Sequence, residues 1–521
     1  MITSPTLPKP RQRLILAVLV LSSFLIWMDN TILSLTFQTL ADPVRGLGAT
    51  PAQLQWATGS YTLVFAALMF TAGALGDRFG HRTVLATGLT TFAAASIWAA
   101  YAGDAGQLIA ARAAMGVGSA LIMPATMAIL TWTFTGPARA TAIGISSASA
   151  GVGLAAGPLL AGVLLDHFWW GSVFLINVPA VLAGLVGIAA LIPEFRSPTP
   201  RPLDLTGLLL SISGLAALAY GLIRAGQVAS WTPVDVWAPI AAGVILLGAF
   251  VFVELRSHQP SFDPRLLAQR TFGGGNAALG LLLFAMTAAG FYGAFYLQGA
   301  RGFSPLQAGF ATFPAALGAM VGGPLGIRLV RRWSLRPVTA TALTVAALAM
   351  GSFAFFGLHT PLVWNEIVLL IQGLSIGIVM GSTTAALMNT LPLTQAGAGS
   401  AVTNTVRQTG SVLGIAVGGT IMSIAYQRGI GSALHDLPAD VRERAQVSAE
   451  QTRHAAAVIH RPDLTRAADA AFIHAMHVGA VWTMLIALAG AAVLAITLRP
   501  NGIRTDAAPE QAEALEPAEA L

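Results

Sequence analysis

The feature that most constrains this sequence is a series of apolar stretches, each close to the roughly 20 residues that an α-helix needs to cross a bilayer. Only 10% of the 521 residues are charged, whereas soluble domains carry about 25%. We predict an all-α membrane protein with fourteen transmembrane helices, near residues 14–36, 53–75, 83–102, 107–131, 140–164, 173–192, 205–225, 237–255, 273–298, 305–330, 337–357, 362–388, 401–424 and 475–497.

The spacing of these stretches predicts two groups of six helices, with two further helices between them. The tail is acidic and lacks large apolar residues, so we expect it to be disordered. The predicted parts are an N-terminal half at 1–192, a cytoplasmic linker at 193–204, two inserted helices at 205–255, a C-terminal half at 273–497 with a long outer loop at 427–474, and a cytoplasmic tail at 498–521.

The distribution of positive charge predicts the orientation. Lys and Arg favour the cytoplasmic side in short connections, but long translocated loops do not follow this rule. Seventeen of them, beginning with Lys9, fall in the segments on one side, whereas the short loops on the other side carry only Arg45, Arg224 and Arg301. We therefore expect a multi-pass protein of the cell inner membrane with both termini in the cytoplasm.

Several function classes find no support in the sequence. The net charge of +6 is spread over short loops and forms no basic stripe, so we expect no nucleic-acid partner. No nucleophile triad or phosphate-binding loop is present, so we expect neither an enzyme nor an ATP-driven pump, and no cofactor. His474 and His477 could face one metal ion, but no third ligand is evident, so we predict no metal site.

A ten-residue segment, Gly73 to Arg82, appears twice, since Gly323 to Arg332 is similar at an offset of 250 residues. The first copy resembles the loop between helices 2 and 3 of the major facilitator superfamily. The resemblance implies two six-helix halves that alternate access to a central cavity. It also implies a gating role for this loop, whose matching positions are Gly73, Gly76, Asp77, Arg78, Gly80 and Arg82. We expect Gly73 and Gly76 to allow close helix approach and Asp77 to face a helix N-terminus.

Two charged residues are predicted to lie within the membrane. Burial disfavours the charged form of a carboxyl group, so Asp29 in helix 1 is the best candidate for binding a proton or a cation. Its other interpretation is a neutral acid satisfied by a neighbouring helix. Arg112 matches the family's helix 4 motif, which implies a role in proton transfer, although the side chain could instead extend to the outer interface.

Helix 5 contains the sequence Gly151-Val-Gly153-Leu-Ala-Ala-Gly157-Pro158, a stretch rich in small residues that ends in proline. This stretch resembles the motif of drug antiporters within the superfamily, and Gly153, Gly157 and Pro158 would form a hinge; a generic packing face is the alternative. Matches along nearly the whole chain resemble the fourteen-helix drug:proton antiporter branch.

The resemblance implies a proton-coupled antiporter that exports small amphipathic or cationic compounds, such as drugs or antibiotics. We expect its partners to be a small-molecule substrate, protons and the lipid bilayer, and the chain to be a monomer. The residues predicted to line the substrate cavity are Trp27, Asn30, Met123, Asn177, Asn276, Tyr292 and Asn404. A proton-coupled importer of solutes such as peptides, and a receptor or lipid-binding scaffold that transports nothing, remain as alternatives.

Overall fold

The computed structural model describes residues 8–134, 136–194, 196, 204–257, 264–391 and 396–498. Within these ranges the chain forms helices and short connections, and no strand. The α-helices are α1 (Lys9–Ala41), α2 (Pro51–Phe79), α3 (His81–Ala100), α4 (Ala105–Thr133), α5 (Gly136–His167), α6 (Ser172–Leu175), α7 (Asn177–Leu191), α8 (Leu205–Val228), α9 (Val234–Arg256), α10 (Pro264–Ala268), α11 (Arg270–Phe295), α12 (Pro305–Trp333), α13 (Leu335–Ser352), α14 (Leu362–Asn389), α15 (Ala396–Ile430), α16 (Ala439–Ala445), α17 (Ala449–Val458) and α18 (Pro462–Thr497).

The all-helical membrane architecture predicted from the sequence is confirmed. Among the described residues, twelve helices are long and apolar enough to cross a bilayer, and α2, which bends by 52° near Met69, raises this number to thirteen. Helix α5 covers the remaining predicted stretch at 140–164, but many of its side chains lie outside the described residues. The number fourteen therefore stays a prediction.

Helices α2 and α12 show the internal repeat most clearly. Each begins with a capping box, formed by Thr50 with Gln53 and by Ser304 with Gln307, and each is 29 residues long. The residue after each helix has a positive φ, 102° at Gly80 and 71° at Ser334. These matches give an offset of 254 residues. The offset of 250 that the sequence motif suggested was therefore wrong by about one helical turn, because small residues recur at that spacing along α12.

Helices α1–α7 form one bundle, called here the N-terminal bundle, and α10–α18 form the C-terminal bundle. Arg11 at the start of α1 donates hydrogen bonds to the Leu191 carbonyl at the end of α7, so these two ends share one face, the terminal face. The opposite face, where α1 ends at Ala41 and α12 begins at Pro305, is called the loop face.

The two inserted helices, α8 and α9, pack against each other, and α8 also contacts both bundles. Leu215 of α8 clusters with Leu63 of α2 and Val412 of α15. Nearer the loop face, the Thr420 hydroxyl of α15 donates a hydrogen bond of 2.6 Å to the Leu222 carbonyl. The insertion therefore bridges the two bundles along one side.

The segment after α15 is an ordered cap on the loop face. The sequence predicts a long outer loop at 427–474, and within it the structure has two short helices, α16 and α17, with Thr452 and Ala456 buried. Helix α18 begins at Pro462 rather than near residue 475, since Pro in the first turn and Asp463 beside it favour a helix start there. The outer connection is therefore shorter than predicted.

Candidate functional site

The two charged residues predicted to lie within the membrane form a buried ion pair. Arg112 Nη1 lies 2.5 Å from Asp29 Oδ2, and the two residues are 1% and 0% exposed. Both belong to the N-terminal bundle, on α4 and α1. A buried charge without a partner carries a large desolvation penalty, so each residue stabilises the ionised form of the other.

Arg112 is held by further contacts that do not involve Asp29. Its Nε donates a hydrogen bond of 3.2 Å to the Ala57 carbonyl of α2. Its guanidinium carbon lies 4.3 Å from the centre of the Tyr61 ring, and the Tyr61 hydroxyl lies 2.9 Å from Ser119 Oγ. The Arg112 side chain therefore points into the bundle and not toward the outer interface.

Asn177, predicted to line the substrate cavity, instead belongs to the surroundings of this pair. Its Nδ2 lies 3.4 Å from both Asp29 Oδ1 and Ser96 Oγ, while its Oδ1 has no partner. Asn177 is the first residue of α7 and is fully buried. Its amide therefore contacts Asp29 in a place where protonation of that carboxyl group would change their hydrogen bonding. Ser96 was missed, because nothing in the sequence distinguishes it from other small residues of α3.

A cavity of about 280 Å³ lies between the bundles, mostly within the C-terminal one. Its walls come from α1 and α5 on one side and from α11, α12 and α14 on the other. Asp29 does not line it, although Thr31 and Ser34, which lie two and five residues further along α1 on a different side of that helix, do. The ion pair is thus adjacent to the cavity and not exposed in it.

Of the residues predicted to line the cavity, Tyr292 does so. Trp27 packs at the α1–α5 contact, and Met123 packs on the core of the N-terminal bundle. Asn276 is fully buried and donates to the Phe272 carbonyl of its own helix. Asn30 and Asn404 are half-buried and lie outside the lining of this cavity.

Sequence reasoning missed Asn365 and Gln372, two polar residues of α14 that line the cavity. They are seven residues apart, so they lie on the same side of the helix. Two polar residues at this spacing in an apolar helix could have indicated a polar cavity wall from the sequence. They were missed because neither residue belongs to a motif.

The small residues of α5 hold it against α1 and, nearer the loop face, against α12. A Cβ added to Gly153 would lie 2.8 Å from Trp27 Cβ of α1. One added to Gly309 of α12 would lie 2.6 Å from the Pro158 carbonyl oxygen, and one added to Gly162 would lie 2.7 Å from Leu306 Cα. Backbones of the two bundles therefore touch directly at the predicted hinge motif.

The connection between α2 and α3 differs from its prediction in detail. Asp77 Oδ1 lies 3.3 Å from His81 Nε2, so the acid pairs with a side chain of its own loop. The carboxylate at the N-terminus of α3 is instead Glu194, which accepts hydrogen bonds of 3.2 Å from the Arg82 and Thr83 backbone N–H groups. Glu194 falls within the predicted linker at 193–204, so the sequence did not mark it as a site residue.

The glycines and arginines of that connection also take distinct places. A Cβ at Gly80 would meet the Glu194 carboxylate, which could shift only by leaving its contacts with α3, and the positive φ of 102° independently favours glycine there. At Gly73 an added Cβ would meet no described atom within 4 Å, whereas at Gly76 it would meet the ring of His81, the first residue of α3, so of these two glycines Gly76 alone lies close to a neighbouring helix. Arg82 donates to the Ala189 carbonyl of α7, while the Arg78 guanidinium lies over the Phe79 ring.

Contacts between the bundles are concentrated near the loop face. Three hydrogen bonds between them join described residues, and all three lie at that face. Gln298 Nε2 donates to the Leu35 carbonyl at 2.8 Å, Ser304 Oγ donates to Asp166 at 3.2 Å, and Gln38 Nε2 donates to Glu450 of α17. In this conformation the loop face is closed.

Comparison with known proteins agrees with this architecture. Residues 19–415 match the family model described as Major Facilitator Superfamily. The inward-facing, unoccupied structure of a bacterial homologue of the human lysosomal transporter Spinster has a TM-score of 0.65 at 17% identity, covering 94% of this chain and 97% of that one. At that identity the likeness shows the fold alone.

Relatives with known names cover nearly the whole chain. The multidrug efflux pump LfrA of Mycolicibacterium smegmatis is 32% identical over 95% of this chain and 98% of its own length. The methyl viologen resistance protein SmvA of Salmonella typhimurium is 31% identical over 94% and 97%. The puromycin resistance protein pur8 of Streptomyces alboniger is 33% identical over 80% and 82%. The chain belongs to the Major Facilitator Superfamily and is a multi-pass membrane transporter.

Proposed function

We propose that this chain is a proton-coupled antiporter of the fourteen-helix drug:proton branch, which exports small amphipathic molecules across the cell inner membrane. The observation that carries the proposal is the buried pair of Asp29 and Arg112 next to the cavity between the bundles. The relatives named as multidrug, methyl viologen and puromycin resistance proteins support export as the direction. The terminal face is assigned to the cytoplasm on the positive charge of its connections.

The coupling step follows from the unequal surroundings of the two charges. Protonation of Asp29 removes the partner of a buried guanidinium, whose remaining contacts are the Ala57 carbonyl, the Tyr61 ring and the Met115 sulfur. Such a charge is unstable where it stands, so α1 and α4 must shift or admit water. A proton on Asp29 thus favours a different packing of the N-terminal bundle.

That change reaches the cavity through α1. Thr31 and Ser34, two and five residues beyond Asp29 on the same helix, line the cavity, and α1 also packs on the glycines of α5. A movement of α1 therefore acts on the cavity wall and on the α5–α12 contact together. We propose that this opens the loop face and releases the substrate outward.

The test is transport by inverted membrane vesicles that contain the intact chain. An imposed proton gradient should drive accumulation of ethidium or of uncharged chloramphenicol against its concentration gradient, and the transported compound should in turn dissipate the proton gradient. Uptake only in right-side-out vesicles would instead indicate an importer. Movement of neither compound in either orientation, with one of them still bound by purified protein, would indicate a receptor or scaffold.

A further inference from the structure

The polar groups that line the cavity have a distinct chemical character, which bears on the substrate class of the transporter proposed above. Among the described residues of the lining, every side chain is uncharged. The polar ones are Thr31, Ser34, Tyr292, Tyr296, Thr312, Asn365 and Gln372. The nearby carboxylate, Asp29, is occupied by Arg112.

Four of the five hydroxyl groups of this lining donate their protons to carbonyl groups within the protein. Thr31 donates to the Met28 carbonyl, Ser34 to the Thr31 carbonyl and Thr312 to the Ala308 carbonyl, at 3.1, 2.7 and 3.1 Å. Tyr296 donates to the Gly357 carbonyl at 2.9 Å. Each oxygen keeps a lone pair, so these residues can accept hydrogen bonds but not donate them.

Asn365 adds an acceptor that lacks a partner. The residue is 1% exposed, and its Nδ2 lies 3.5 Å from the Ala311 carbonyl of α12, a contact that favours this amide orientation because a carbonyl oxygen accepts and cannot donate. Its Oδ1 is buried and has no hydrogen-bond partner. A buried amide oxygen in that condition costs free energy, which a donor on a bound molecule would recover.

We propose that the cavity binds an uncharged amphipathic molecule whose polar edge donates hydrogen bonds, and that Asn365 Oδ1 is the specificity-determining acceptor. Gln372 lies two turns further along the same side of α14. Its amide oxygen accepts a hydrogen bond from the other end of the same polar edge. The apolar part of the bound molecule packs against the alanine, glycine and leucine residues of the cavity wall. A dication would lose its hydration here without meeting a countercharge, so it should bind weakly.

The experiment measures equilibrium binding to the purified full-length protein, so that it does not depend on whether the chain pumps. Four probes are used: chloramphenicol, which is uncharged and has two hydroxyl donors; its diacetyl ester, in which these donors are blocked; the monocation tetraphenylphosphonium; and the dication methyl viologen. The wild type should bind chloramphenicol at least about fivefold more tightly than the diester, the effect of about one hydrogen bond. Methyl viologen should bind more weakly still.

Two variants separate recognition from folding. Asn365→Leu should weaken chloramphenicol about five- to tenfold and leave the diester within about twofold. The matched control is Asn276→Leu, which removes another buried amide with an unpartnered Oδ1 away from the cavity and should change both probes by one common factor. If Asn365→Leu fails to fold, Asn365→Asp serves instead, and should raise tetraphenylphosphonium affinity relative to chloramphenicol at least tenfold.

The outcomes are distinct. Preferential binding of methyl viologen, or an equal loss of chloramphenicol and diester in Asn365→Leu, would overturn the inference while leaving export intact. Selective binding without any uphill export in vesicles would keep the inference and refute the antiporter proposal.

Discussion

Gln38 of α1 and Glu450 of α17 form a hydrogen bond that joins the N-terminal bundle to the cap on the loop face. Glu450 is itself anchored to the C-terminal bundle, because Arg453 pairs with it at 3.2 Å and with Asp469 of α18 at 2.8 Å. The bond therefore closes the loop face from one bundle to the other. It lies at the loop face, which the proposed orientation assigns to the outer side of the membrane.

Replacing Gln38 should loosen this closure. In Gln38→Leu the cluster of Glu450, Arg453 and Asp469 stays intact, and only the link across the bundles is lost. The chain has no cysteine, so a single cysteine at Ser34 reports access to the cavity. We expect a membrane-impermeant maleimide added from outside to label it about three- to tenfold faster in Gln38→Leu. The exposed substitution Glu443→Gln on the same cap should leave the rate unchanged.

The Asp29–Arg112 pair predicts a double-mutant pattern. Asp29→Asn should abolish uphill export and lower stability by about 3–5 kcal/mol, because it strands a buried guanidinium. Adding Arg112→Gln should restore most of the thermal stability but none of the coupling. Melting temperature and substrate-induced proton release from purified protein measure the two effects separately. Proton release that persists in Asp29→Asn would place the coupling group elsewhere.

The α5–α12 contact predicts a steric effect on the gate. Gly309→Ala places a methyl group against the Pro158 carbonyl, so the loop face should close less often and export should fall at least about tenfold at normal expression. Gly323→Ala, also on α12, is the control, since an added Cβ there meets no described atom within 4 Å. Equal export by both variants would mean that the contact is not needed for closure.

Glu194 and Asp77 should differ in what they affect. Glu194→Gln weakens the cap of α3 and should cost about 1 kcal/mol of stability with a modest effect on transport. Asp77→Asn should leave stability within about 1 kcal/mol and slow efflux, since it removes the charge partner of His81 in the connection for which the sequence predicts a gating role. Thermal unfolding and efflux rates, measured on both variants at matched abundance, would expose a reversal of these roles.

Orientation can be tested on the same cysteine-free chain. Glu443 and Arg331 are exposed on opposite faces. Glu443→Cys should react with impermeant maleimide in intact cells, and Arg331→Cys only after the membrane is opened. Labelling of Arg331→Cys from outside would reverse the predicted topology and the direction of transport with it.

The sequence predicted the helices well because hydrophobic length is a local property. It also identified Asp29 and Arg112, since a charge within an apolar stretch is conspicuous. It could not pair them across 83 residues, because pairing depends on how α1 and α4 pack. Glu194 was assigned to a linker for the same reason, since its partners at Arg82 and Thr83 lie 112 and 111 residues away in the chain.

The direct backbone contact between α5 and α12 bears on how a mutational scan of this protein should be interpreted. Gly162 and Gly309 do not line the cavity between the bundles, yet a side chain larger than hydrogen at these positions displaces a neighbouring helix. A resistance screen would therefore score them as strongly as residues that contact the drug. Loss-of-function maps of this chain should therefore include the residues at the contact between the two bundles. Only changes in selectivity between compounds should identify the residues that bind substrate.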